Sequence, residues 1–167
     1  MGIDPGQNGA VALLMPDGRT EIHDFPVYHV KEGKMNRGYY DLPRLVDLFE
    51  MILVKHAPVL AMIEDGIAMP SQSSASTKST FLSIGALWGI LAALKVTMYR
   101  TKPSAWKKYL GLSEKRAKGE AKATSKEKKE DAIALAKKLY PKADITKKKH
   151  DGRAEALLIA HFLKKVI

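Results

Sequence analysis

Gly2-Ile3-Asp4-Pro5-Gly6, followed closely by Gly9-Ala10-Val11-Ala12-Leu13-Leu14-Met15, is the stretch that decides the fold. Two short apolar runs separated by a Pro-Gly turn read as paired strands, and the turn fixes one carboxylate, Asp4, on rigid sheet backbone. After the turn Pro16-Asp17-Gly18-Arg19 a third strand is expected from about Thr20 to Phe25, so the chain opens as an antiparallel meander. Residues 27–40 are polar, contain Gly33, Gly38 and the pair Tyr39-Tyr40, and read as a loop.

Further along, strands alternate with helices. Asp41 precedes Pro43 and the apolar series Leu42, Leu45, Val46, Leu48, Phe49, Ile52 and Leu53, as an N-cap and a buried helix face would. Val59-Leu60-Ala61-Met62-Ile63 reads as a buried strand ending at Glu64-Asp65. A polar segment leads into a long apolar helix, roughly Phe81 to Val96, broken by Ser83, Gly85, Gly89 and Lys95. It falls short of the ~20 apolar residues of a bilayer span and reads as a core helix. Gly85 and Gly89 give it a smooth face, for packing in the core or against a second copy of the chain. Val96 to Tyr99 reads as a short strand, Pro103 to Leu110 as a short helix ended by Gly111, and residues 112–124 as a loop. The capping box Thr124-x-x-Glu127 opens a helix with Ala132, Leu135, Ala136 and Leu139 on its apolar face, closed by Pro141. The expected architecture is α/β: a mixed β-sheet, antiparallel meander first and parallel strands after, flanked by α-helices.

The chain has 167 residues, a length that suits one domain spanning 1–167. It has no cysteine, which excludes disulfides and thiolate metal sites, and its N-terminus shows no basic segment followed by an apolar one. A cytoplasmic protein is expected. The net charge of +10 is concentrated: residues 101–150 hold 16 Lys and Arg against 6 Asp and Glu, a surplus equal to that of the whole chain. Such a block fits a polyanionic partner, or else a solvated lysine-rich surface.

Four acids invite grouping. Asp4 and Glu64 stand at strand positions, while Asp151 and Glu155 are four apart and share one face of the last helix, in His150-Asp151-Gly152-Arg153-Ala154-Glu155-Ala156-Leu157-Leu158-Ile159-Ala160. Oxygen-only ligation suits Mg²⁺ or Mn²⁺. Each acid also has a plainer reading: Asp4 as a turn former, Glu64 and Asp65 as strand-end charges, Asp151 as an N-cap. His150 reads as a loop residue, and His23, His29, His56 and His161 as structural. Seven hydroxyl residues lie between Ser71 and Thr80, a segment suited to phosphate contacts or to a polar linker.

Taken together, Gly2-Ile3-Asp4-Pro5-Gly6 with Gly9-Ala10, Ile63-Glu64, Pro103-x-x-Trp106-Lys107 and Asp151-x-x-x-Glu155-Ala156-Leu157 resemble the RuvC-type Holliday-junction resolvases. The short versions found in phages are the nearest in kind, and the resemblance spans nearly the whole chain. It implies a ribonuclease-H-like fold whose acids bind two Mg²⁺ ions, Mn²⁺ substituting, and hydrolyse phosphodiesters to 5′-phosphate and 3′-hydroxyl ends. By position, Asp4 matches the bridging aspartate of the first strand and Glu64 the glutamate ending the fourth. Glu155 falls where the family's final aspartate stands, one methylene longer. The other C-terminal acid or histidine of the family lies three residues earlier, here Gly152, so the division of roles among His150, Asp151 and Glu155 stays open.

Lys107 matches a family lysine near the scissile phosphate, and Lys129 a basic position at the start of the next helix. Ser73, Ser74, Lys78, Lys107, Lys108, Lys126, Lys129 and Lys148 are the expected DNA contacts, with Ile67 and Met69 as candidate wedges between bases. The resemblance further implies a homodimer acting on branched DNA such as a four-way junction, in a bacterial cell and possibly phage-encoded, with no membrane and no small-molecule cofactor. The alternatives are the same chemistry on flaps, forks or RNA–DNA hybrids, an actin-like ATPase fragment, which also opens on a strand-Asp-x-Gly, and a non-catalytic DNA-binding module.

Overall fold

The computed structural model describes residues 1–33, 35–56, 59–66, 74–112, 124–146 and 151–167. The meander forms as expected: β1 (Gly2–Asp4), β2 (Ala10–Leu14) and β3 (Thr20–Asp24) are consecutive antiparallel strands. After α1 (Leu42–His56), strand β6 (Leu60–Glu64) joins the other edge of β1 in parallel, and β7 (Thr97–Thr101) joins β6 in parallel. The five-stranded sheet therefore has the order β3-β2-β1-β6-β7, mixed and with β1 at its centre. Helices α2 (Ser74–Ala93), α3 (Pro103–Tyr109), α4 (Ser125–Leu139) and α5 (Asp151–Val166) complete the fold.

Residues 27–40 overturn the loop expectation. They form a hairpin, β4 (Val27–Glu32) and β5 (Met35–Tyr40), a two-stranded sheet of its own among the described residues, turning through Gly33 at φ +60°. The strand formers Val27, Tyr28, Val30, Tyr39 and Tyr40 were masked by the charged residues between them. Tyr28 and Tyr39 pair directly across the strands, with ring centroids 5.9 Å apart.

Strand alternation sorts the core onto the two faces of the sheet. Ile3, Val11, Leu13, Ala61 and Ile63 point to one face and pack with Leu45, Phe49 and Ile52 of α1 and Leu87 and Leu91 of α2. Ala10, Ala12 and Met62 point to the other, against Trp106, Ala132, Ala136, Ile145 and the α5 residues Leu157, Leu158 and Ile159. Asp4 and Glu64 have the parity of this second face.

The helix ends follow local chemistry. Arg44 N–H donates to Asp41 Oδ1 at 3.3 Å, and Glu127 and Thr124 exchange backbone and side-chain bonds in the expected capping box. The core-helix expectation for residues 81–96 holds for one face of α2 only. Ile84, Leu87 and Leu91 are buried, but Phe81 and Leu82 remain 48% and 57% exposed, and open space lies over both Gly85 and Gly89. Among the described residues nothing packs on these glycines. On α4 Leu139 is exposed, its place in the core taken by Ile133 and Tyr140. No helix among the described residues is long and apolar enough to cross a membrane.

Candidate active site

Parallel pairing sets the first two acids side by side. Gly2 pairs with Met62 and Ile3 with Ile63, so Asp4 and Glu64 end adjacent strands at the same level. The third comes from α5, which lies directly on β1 because both surfaces are small. A Cβ on Gly2 would stand 2.2 Å from Ala156 O and Ala160 N, and one on Gly152 would stand 2.0 Å from Asn8 O. Arg153 anchors the same turn of α5 by bonds to Asp24 at 2.6 and 2.7 Å and a further contact with Asp144. Glu155, one turn into α5, is thereby delivered to the strand ends.

Asp4, Glu64 and Glu155 each offer a carboxylate oxygen, and these oxygens all lie within 4.8 Å of one another. Burial, then the charges of Glu155 and Glu64, hold the Asp4 carboxyl well above its ordinary pKa. Glu64 is raised in the same way, by burial and then Glu155, with Lys107 and Trp106 opposing. Three like charges in a poorly solvated place strongly favour a cation among them. An all-oxygen donor set of this kind fits Mg²⁺ or Mn²⁺.

Two lysines meet the cluster. Lys107 Nζ donates to Glu155 Oε1 at 2.9 Å and lies 4.8 Å from the Trp106 ring centroid. Burial alone would lower its pKa; Glu155, Glu64 and Asp4 together outweigh that and hold it raised. Lys129 Nζ contacts Asp151 Oδ2 at 2.6 Å, and this bond raises the lysine's pKa. Asp151 is thus near enough to Asp4 to add to its raised pKa but stands outside the group of three.

One contributor escaped the sequence reading. Trp106, quoted above only as part of a motif, is fully buried and donates its Nε1–H to Glu64 Oε2 at 2.6 Å. The signal was available, since a buried indole N–H needs a partner and Trp106 immediately precedes Lys107. Asp65, read from the sequence as a strand-end charge, makes a two-pronged pairing with Arg100 at 3.0 and 2.8 Å. His161 bonds the Tyr140 hydroxyl at 2.6 Å, and His23 and His56 bond Glu21, which makes all three structural.

Among the expected DNA contacts, Ser74 opens α2 and Lys78 lies one turn on, both exposed. Lys108 is exposed on α3 beside Lys107. Lys126 and Lys129 line a cleft of about 570 Å³ on α4 with Ile133 and Lys137. Ser73, Lys148, His150, Ile67 and Met69 lie outside the described residues, as do 113–123 of the expected 112–124 loop.

A mixed sheet with its central strand and parallel neighbour each ending in an acid, crossed by a helix bearing a third, defines the ribonuclease-H-like class of fold. Comparison with known structures finds the same fold in RuvC. A Thermus thermophilus RuvC in complex with a Holliday junction substrate matches with a TM-score of 0.57 at 13% identity, over 99% of this chain and 94% of that one. A second T. thermophilus RuvC structure matches with a TM-score of 0.54 at 15% identity, over 98% and 94%. No protein-family model matches the chain, and no curated protein matches it.

Proposed function

We propose that this protein is a divalent-cation-dependent endodeoxyribonuclease that resolves four-way DNA junctions as a homodimer, residues 1–167 acting as one nuclease domain. The observation that carries the reading is the meeting of Asp4, Glu64 and Glu155 within 4.8 Å, with the Lys107 ammonium on Glu155. The RuvC fold supports it, and one RuvC structure of that fold holds a Holliday junction substrate. The surplus of positive charge in residues 101–150 supports a polyanionic substrate.

Asp4, Glu64 and Glu155 would hold the cation, with Asp151 beside them. Bound there, Mg²⁺ or Mn²⁺ supplies Lewis acidity to phosphoryl oxygen and makes water acidic enough to attack near neutral pH. The chain's own groups do the rest. Trp106 holds one Glu64 oxygen in place, which fixes the direction of the other. Lys107 is placed to stabilise negative charge building on the scissile phosphate. Lys108, Lys126 and Lys129 grip flanking phosphates, and two copies related by a two-fold axis would cut two strands of a symmetric junction.

The test is cleavage of a four-way junction, a flap and an RNA–DNA hybrid, each with and without Mg²⁺, with the ends of the products mapped. Metal-dependent cutting that favours the junction and leaves 5′-phosphates is expected. A preference for the flap or hybrid would reassign the substrate, and no cutting with Mg²⁺ or Mn²⁺ would remove the nuclease reading.

A further inference from the structure

The β4–β5 hairpin stands outside the five-stranded sheet, yet it is fastened to the turn that carries Asp4. The Tyr40 hydroxyl accepts from Gly6 N–H at 2.8 Å and donates to Gly6 C=O at 3.1 Å. Burial pushes that phenol up to about 12, so it remains a neutral two-way tie. Gly38, two residues back on the same face of β5, approaches Gln7 so closely that a Cβ would stand 2.8 Å from Gln7 Oε1.

Between the hairpin and the first turns of α2 this arrangement leaves a cleft of about 340 Å³, walled by Gln7, Arg37, Tyr39, Lys78, Ser79 and Leu82. Among the described residues the charges that line it are both positive and come from different elements, Arg37 from β5 and Lys78 from α2. Among the described residues that line it, the remaining polar groups are amide and hydroxyl and none is a carboxylate. A forked guanidinium and an ammonium facing one cleft suit phosphate oxygens. Gln7 is three residues from Asp4, a span of at most ~10 Å, so an occupant would lie within a few nucleotides of a phosphate held at the acids.

We propose that this cleft binds the sugar–phosphate backbone of the DNA strand flanking the cut, with the β4–β5 hairpin as one jaw and α2 as the other. The inference rests on the reading of the protein as a DNA nuclease and adds the hairpin to its substrate-binding surface.

The experiment measures binding of a fluorescein-labelled four-way junction without divalent metal, over KCl from about 50 to about 300 mM. Arg37→Gln and Lys78→Gln should each weaken binding about 5- to 20-fold and reduce the slope of log affinity against log salt by about one unit. Lys165→Gln, about 15 Å along α5 from Glu155, is the control and should leave both at the parental value. Lys78→Gln with parental affinity and slope overturns the proposal, as does a folded Arg37→Gln that behaves so. Should Arg37→Gln fail to fold by circular dichroism, the exposed Lys78→Gln decides alone. Since binding is read without metal, a parent protein that binds junctions but never cuts them would remove the nuclease reading and leave the cleft result standing.

Discussion

Asp4 is held at a cost to the fold. Its carboxyl binds a proton more tightly in the folded protein than in the unfolded chain, because burial and the neighbouring Glu155 and Glu64 oppose its charge. For an acid with a raised folded pKa the penalty is absent below the unfolded value of 3.8, appears as pH rises through it, and is complete above the folded value. In EDTA at pH 7, Asp4→Asn should therefore melt higher than the parent, on the order of 3 °C, and the gain should vanish near pH 3. Adding Mg²⁺ should raise the melting temperature of the parent and not of the variant, while Asp4→Asn and Glu64→Gln should each lose at least about 10³-fold in cleavage yet still bind junctions. An Asp4→Asn that melts lower at pH 7, or either variant cutting at near-parental rate, would contradict the assignment. Trp106 supports the same centre at one remove. Trp106→Phe keeps most of the packing but removes the donor to Glu64, and should raise the Mg²⁺ concentration for half-maximal cleavage about 10-fold with the rate at saturating Mg²⁺ largely restored. A parental Mg²⁺ midpoint would reduce Trp106 to packing.

Helix α5 carries the site at the scale of elements, and glycine decides how close it comes. Gly152 and Gly2 leave no room for a methyl group between α5 and the β1–β2 layer, whereas Gly85 on α2 faces open space. Gly152→Ala should thus cost about 1–3 kcal/mol by overpacking and lower metal-dependent cleavage as Glu155 moves off Asp4. Gly85→Ala should instead stabilise an isolated chain by about 0.5–1 kcal/mol. Urea unfolding of the two variants checks both signs, and a Gly85→Ala that is destabilised only at concentrations where the chain dimerises would place that face of α2 in the dimer contact. The same elements show what the sequence could disclose. Asp4 and Glu64 were legible because each ends an unbroken apolar run, and Glu155 because it lies four residues from Asp151. The hairpin was not, since β4 and β5 pair with each other apart from the main sheet and their strand-forming residues are interleaved with Lys, Glu, Arg and Asn. Nor was the identity of the partner that the Trp106 N–H needs, since its bond to Glu64 joins residues 42 apart.

Across the whole molecule, charge is divided by region. The acids gather where β1, β6 and α5 meet, while the positive surplus falls entirely in residues 101–150, which include α3 and α4. Lys107 and Lys129 are where the two regions touch, each paired with an acid of the site. Junction affinity should accordingly fall log-linearly with salt, because every lysine that neutralises a phosphate releases counterions. The lysines should separate into two kinds. Lys126→Gln and Lys108→Gln, both exposed, should each lower affinity and reduce the salt slope by about one unit, acting through the ground-state complex. Lys107 is half-buried, bonded to Glu155 and backed by the Trp106 ring, and in the proposed reaction it acts on charge that develops only as the phosphate reacts. Lys107→Ala should therefore lower the single-turnover cleavage rate at saturating enzyme by about 10²-fold or more, with a change in affinity no larger than that of the exposed lysines. If its rate at saturation equals that of the parent and only affinity falls, Lys107 is one more phosphate contact and the charge on the reacting phosphate is met by other groups.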